Sequence, residues 1–147
     1  MSRATLVLET TDEERLEYVV DLLEANGLPS SDVRTKPECF YVARDGDETV
    51  GVGGVEIHGS AGLLRSVVVE RSARSEGLGT ALCERLEAIA EAEGVEELYL
   101  LTTTAREFFA GRGYEEVERS EAPADIRGTA EFADLCPSTA VCMRKRL

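Results

Sequence analysis

The chain has 147 residues, 43% of them hydrophobic, which suits one domain with a single real core rather than two. Its net charge is −13, from 29 acidic against 16 basic residues, and such a surface repels nucleic acid and anionic membranes. It holds no apolar run long enough to span a bilayer and no basic-then-apolar leader, so a soluble, cytoplasmic protein is expected.

Lysine occurs only at Lys36 and Lys145, the other 14 basic residues being arginine. Acidic excess with scarce lysine reads as the surface of a protein from a high-salt cytoplasm, where screening makes self-repulsion tolerable; an ordinary acidic enzyme is the alternative.

In chain order, "TDEERLEYVVDLLEANG" predicts an amphipathic helix, with Thr11 as N-cap, Glu14 three residues on, an apolar face of Leu16, Val19, Val20 and Leu23, and a stop at Gly27. Residues 28–37 read as a loop or broken helix. "CFYVARDGDETVGVGGVEI" reads as two strands joined by a turn at residues 45–47. A second turn at residues 58–62 leads into "LLRSVVVE", completing an antiparallel meander. Leu78, Leu82, Leu86 and Ile89 recur at helical spacing up to Gly94, and "EELYLLT" follows as a buried strand. Strand, helix, strand is a βαβ unit, so residues 67–69 and 98–101 should run parallel in one sheet. A short helix at 104–112, a strand at 114–119, a helix near 125–135 and a strand near 140–144 complete the chain.

Two glycine-rich stretches need an explanation. "GVGG" at residues 51–54 lies inside a β-run, where a bulge or close packing accounts for it. The other is R-x-x-G-x-G, formed by Arg74, Gly77 and Gly79, between a hydrophobic strand and a helix. It lacks the Gly-Lys-Ser/Thr ending of a Walker loop and the third glycine of a dinucleotide fingerprint. The unpaired N–H groups and dipole of a helix start can hold a pyrophosphate even in an acidic protein, and glycine lets the anion come close.

Cys39, Cys83, Cys136 and Cys142 form no C-x-x-C pair, and in a cytoplasmic chain they should be reduced and mostly core. Cys136 and Cys142 could bind a soft metal or metalloid, but no His or third Cys stands beside them, and no metal is expected.

The R-x-x-G-x-G turn after a valine-rich strand resembles the cofactor motif of the GNAT superfamily of acetyl-CoA-dependent N-acetyltransferases. "AREFFAGRGYEEV" at residues 105–117 is similar to that superfamily's later A-x-x-F-Y-x-x-x-G-F element, and the order of elements suits the fold along essentially the whole chain. "LYLLTTTAREFFAGRGY", "APADIRGTAEF" and "LCPSTAVCM" together look like the arsenic-resistance N-acetyltransferase subgroup.

The resemblance implies an α/β (α+β) acyl-CoA N-acyltransferase fold: a mixed, mostly antiparallel sheet flanked by helices, whose fourth and fifth strands form a splayed central parallel pair. The pantetheine arm would enter that gap and pair with backbone of Val67, Val68 and Val69. Arg74, Ser75, Glu76, Gly77, Leu78, Gly79 and Thr80 would hold the pyrophosphate, with Glu76 where a basic residue is frequent. Thr102, Thr103 and Phe109 would lie near the thiol end.

The chemistry implied is direct attack of a small-molecule primary amine on the thioester of acetyl-CoA, with a backbone N–H near Val68 facing the oxyanion. Glu56, with Tyr41 behind it, is the candidate base, a solvated strand-end carboxylate being the plain alternative. Phe109 stands where the superfamily commonly places its acid, which leaves Thr103 or water to serve the thiolate. Arg65 and Ser66 are candidate substrate readers: an arginine there could grip the carboxylate of an amino acid analogue, or simply pair with a neighbouring acid. His58, in a turn, is not expected to act. A CoA-binding regulator without turnover and a soft-metalloid binder are the other readings, and homodimer formation is left open.

Overall fold

The structure is a computed structural model that describes residues 6–28, 30–73, 77–129, 132 and 139–147. Its centre is a seven-stranded sheet in the order β1-β2-β3-β4-β5-β7-β6. The strands are β1 (Leu6–Thr10), β2 (Phe40–Asp45), β3 (Glu48–His58), β4 (Ala61–Val69), β5 (Glu97–Thr102), β6 (Glu115–Val117) and β7 (Val141–Arg146). All neighbours are antiparallel except β4 and β5. The edge strand β1 was not among the elements inferred from sequence; only five residues long, it alternates too weakly to stand out.

Helix α1 (Glu13–Ala25) is capped by Asp12, whose carboxylate accepts from the Arg15 N–H at 2.9 Å. The expected cap, Thr11, instead donates its hydroxyl to the Pro37 carbonyl at 2.9 Å and ties the helix start to the following loop. Leu16, Val19 and Leu23 of α1 pack on Phe40, Val42, Val52 and Val68 on one face of the sheet. Helix α2 (Leu78–Ala92) covers the other face, burying Leu78, Leu82, Leu86 and Ala90 against Val55, Leu64, Leu98 and Leu100. Helices α3 (Arg106–Ala110) and α4 (Ala124–Arg127) are short, and most of the helix expected at 125–135 lies outside the described residues.

The "GVGG" run has packing reasons. An ideal Cβ on Gly51 would lie 2.5 Å from the Val68 carbonyl oxygen, and one on Gly53 would lie 2.6 Å from Leu86 Cδ1. The run also faces an irregularity: Gly54 pairs with Arg65 and Val52 with Val68, so Ser66 and Val67 together oppose the single Gly53. At this β4 bulge Ser66 adopts φ +60°, the one positive φ found among the described non-glycine residues.

Candidate active site

β4 and β5 pair only at Ala61↔Glu97, Gly62↔Leu98 and Leu63↔Tyr99. Beyond that rung β4 continues against β3 and β5 against β7, so the expected parallel arrangement is present but its pairing ends before residues 67–69. The gap opens into a cleft of about 610 Å³. Its lining comes from β4 between Leu64 and Val67, from β5 and its following turn between Leu100 and Ala105, and from Ser30, Ser31 and Phe109. A β4 edge that has lost its ladder partner offers backbone donors and acceptors to an extended ligand.

Near this cleft, Gly77 caps α2 with φ +75°, a conformation glycine takes freely, and Gly79 lies in the first turn with the Phe108 ring 3.6 Å from its ideal Cβ. Arg74, Ser75 and Glu76 lie outside the described residues. Leu78 is buried in the core, so any role it has toward a ligand is through its backbone.

Thr102, Thr103 and Phe109 all line the cleft. The Thr102 hydroxyl accepts from the Ala105 N–H at 2.9 Å and shapes the turn after β5, while Thr103 is exposed. Phe109 is 8% exposed and packs edge-on against Phe108 and Tyr114, at centroid distances of 5.1 and 5.5 Å.

Glu56 and Arg65 are buried together. The Arg65 guanidinium, wholly shielded from solvent, donates from Nη1 to Asp32 Oδ2 at 2.6 Å and from Nη2 to Asp32 Oδ1 at 2.8 Å. Nη1 also donates to Glu56 Oε2 at 2.9 Å, and the guanidinium lies 5.2 Å from the Phe40 ring centroid. Lys36 Nζ approaches Glu56 Oε1 at 3.3 Å and Asp32 Oδ2 at 3.8 Å. His58, at the end of β3 rather than in a turn, places Nε2 3.3 Å from Glu56 Oε1.

Burial alone would raise the Glu56 carboxyl, but the Arg65 hydrogen bond and the charges of Lys36 and Arg65 hold it below the usual carboxylate range. Asp32 is held low in the same way, burial being outweighed by the Arg65 hydrogen bond and the charges of Arg65 and Lys36. Tyr41 does not join this group. Phe40, Gly54 and Arg65 are register partners on one face, and the next residue along β2, Tyr41, points to the opposite face and packs with the α2 core. Burial raises its hydroxyl pKa.

Sequence reasoning did not find Asp32, Lys36 or Phe40. Asp32 meets Arg65 across 33 positions, from a loop without periodicity, so no local pattern could link them. Cys142 is buried on β7, and burial pushes its thiol up to about 11; Cys136 lies outside the described residues. Among the described residues no group of three or more His, Cys, Asp or Glu side chains could hold a metal. No helix among them is long and apolar enough to cross a membrane.

A crystal structure from Mycobacterium tuberculosis, in complex with CoA, superposes with a TM-score of 0.79 at 22% identity, over 96% of this chain and 99% of that one. N-acetylglutamate synthase from Neisseria gonorrhoeae, complexed with coenzyme A and L-arginine, gives 0.82 at 17% identity, over 97% of this chain and 33% of that one. At these identities the likeness is one of fold. In sequence the chain is 32% identical over 88 residues to an uncharacterized N-acetyltransferase of Chlorobaculum tepidum, covering 59% of this chain and only 56% of that protein. It is 29% identical over 142 residues to an amino-acid acetyltransferase of M. tuberculosis, covering 86% of this chain and 81% of that one. Residues 36–116, more than half of the chain and spanning the bulge, the glycine turn, the divergence of β4 from β5 and Phe109, match the acetyltransferase (GNAT) domain, and the chain belongs to that family.

Proposed function

We propose that the protein transfers the acetyl group of acetyl-CoA to the primary amine of a small molecule, an amino acid or amino acid analogue being the first class to test, by direct attack in a ternary complex. The observation that carries this reading is the cleft where β4 and β5 part, in a chain of the acetyltransferase family. Residues 67–69 would take the pantetheine arm by backbone pairing, and residues 74–80 the pyrophosphate at the start of α2. The bulge at Ser66 and Val67 would turn a backbone N–H near Val68 toward the thioester oxygen, where it stabilises the oxyanion of the tetrahedral intermediate.

An alkylamine has a pKa of about 10 and must lose a proton before attack. Water in the cleft is one route for that proton; Glu56, buried behind the cleft wall and held by the Arg65 guanidinium, which has no lone pair to relay a proton, would be the other only through an intervening water. Thr103 would donate to the departing thiolate, which with a thiol pKa of about 8.5 is a tolerable leaving group. The likeness of some segments to the arsenic-resistance N-acetyltransferase subgroup is one of sequence and assigns no arsenic compound as acceptor. A CoA-binding regulator without turnover is the second reading, and what favours it is the absence of a hydroxyl on Phe109.

Thiol release from acetyl-CoA, followed with a panel of primary amines in molar KCl, tests the proposal. Amine-dependent release with acetylated product supports transfer. Calorimetric binding of CoA with no release for any amine supports the regulator instead.

A further inference from the structure

The Arg65 side chain joins three separate segments. Its two Nη atoms hold both carboxylate oxygens of Asp32, in the stretch that carries Ser30 and Ser31 at the cleft wall. Nη1 also holds Glu56 on β3, and Nε donates to Ser66 Oγ at 3.2 Å on the bulge of its own strand. Lys36 brings the second positive charge, so the cluster of Asp32, Glu56, Lys36 and Arg65 is balanced within itself.

Ser66 sits at φ +60°, which a serine in a strand keeps only where its surroundings hold it. The residue that precedes it supplies such a hold, through a rigid planar fork fixed at Asp32, at Glu56 and on the serine itself. A substrate carboxylate would meet a guanidinium already flanked by two carboxylates, and would be repelled by both.

We infer that Arg65 is a positioning residue: a buried latch that fastens residues 30–36 and the β4 bulge, and so presets the acceptor wall and the backbone beside the thioester without touching the substrate. The inference rests on the transferase reading for its kinetic consequence, but its structural consequence can be measured without turnover.

Asp32→Asn in the full chain is the informative variant, because it keeps the shape of the side chain and removes the charge on which the fork closes. Hydrogen–deuterium exchange at residues 65–69 should quicken by about ten-fold or more in the folded variant, whether or not any amine is acetylated. With L-serine and L-serinamide as paired acceptors, kcat should fall by about ten-fold for both, and each KM should stay within about two-fold. Adding Ser66→Gly to Asp32→Asn should recover part of kcat, since glycine takes a positive φ unaided.

Unchanged exchange at residues 65–69 in folded Asp32→Asn overturns the latch. So does a loss confined to the KM of L-serine, which would make Arg65 a carboxylate reader. If the parent acetylates neither acceptor nor any other amine, the transferase reading fails while exchange still decides on the latch.

Discussion

Leu63 on β4 and Tyr99 on β5 form the last rung of their parallel pairing, and the chain builds its cleft from the residues that come immediately after. Leu63 is fully buried and Tyr99 nearly so, in a cluster with Ile126 of α4, so the point of divergence is anchored by packing. Past it, β4 bends at the Ser66–Val67 bulge and stays with β3, while β5 stays with β7 as far as Thr102.

Gly51 keeps β4 in place on the β3 side, and its replacement should show this. A Cβ there would meet the Val68 carbonyl oxygen at 2.5 Å, a backbone atom that cannot swing aside, whereas one on Gly53 would meet the end of the Leu86 side chain. Gly51→Ala should destabilise by about 2–3 kcal/mol, lowering Tm by roughly 4–10 °C, and Gly53→Ala by about half as much. Scanning calorimetry on the two variants checks the order, and its reversal would refute the packing argument.

The same strands show what could be read without coordinates. The β-runs, the α2 face and the glycine turn announce themselves through local periodicity and residue type, as with Leu78, Leu82 and Leu86. Asp32 does not, because its significance lies in a partner on another segment. Thr11 and Asp12 show the finer limit: both can cap a helix, and the choice was decided by the Pro37 carbonyl that engages Thr11. The divergence of β4 from β5 was implied by resemblance alone, since no residue pattern states where a ladder stops.

Acid should weaken the ties that Asp32 and Glu56 make to Arg65. Asp32 and Glu56 both titrate below the ordinary carboxylate range, so the stability they contribute is present above the unfolded value of about 4 and is lost as pH falls through the lower folded values. In thermal melts at constant ionic strength, the Tm gap between the parent and Asp32→Asn should be widest near neutrality and narrow below about pH 4. A gap that stays constant down to pH 2 would contradict this.

Salt should act in the opposite direction, stabilising the fold. With a net charge of −13, acidic groups repel one another at low ionic strength, and a Debye length that shrinks from about 30 Å at 0.01 M to about 3 Å at 1 M removes most of that repulsion. Tm should rise steadily from dilute buffer to molar KCl. A flat profile would leave the acidic surface without a part in high-salt adaptation.

Gly79→Val tests the glycine turn as a cofactor cradle. The ideal Cβ at Gly79 lies 3.6 Å from Phe108 Cζ and 3.9 Å from Val69 Cγ2, so a valine's two further methyls would fill the space between α2, α3 and the end of β4. Affinity for acetyl-CoA should drop by about ten-fold or more, measured by calorimetry on the folded variant. Binding as tight as the parent's would move the pyrophosphate site elsewhere.

Phe109 carries the sharpest chemical test, because it lines the cleft where the superfamily commonly places a tyrosine. Its ring is fixed edge-on between Phe108 and Tyr114, so Phe109→Tyr adds a hydroxyl without removing those contacts. If water protonates the thiolate, with or without a hydrogen bond from the Thr103 hydroxyl, turnover in Phe109→Tyr should hold or rise by up to about ten-fold, and Thr103→Val should lower it by a similar factor where that hydrogen bond stabilises the departing thiolate. Glu56→Gln addresses the other proton: with Glu56 as the route, the rate should fall most at low pH, where more amine must be deprotonated on the enzyme. Steady-state rates across pH with one established acceptor measure all three. A more than ten-fold loss in folded Phe109→Tyr would show that the cleft needs an apolar edge at this position, and an unchanged pH–rate profile in Glu56→Gln would assign proton removal to water.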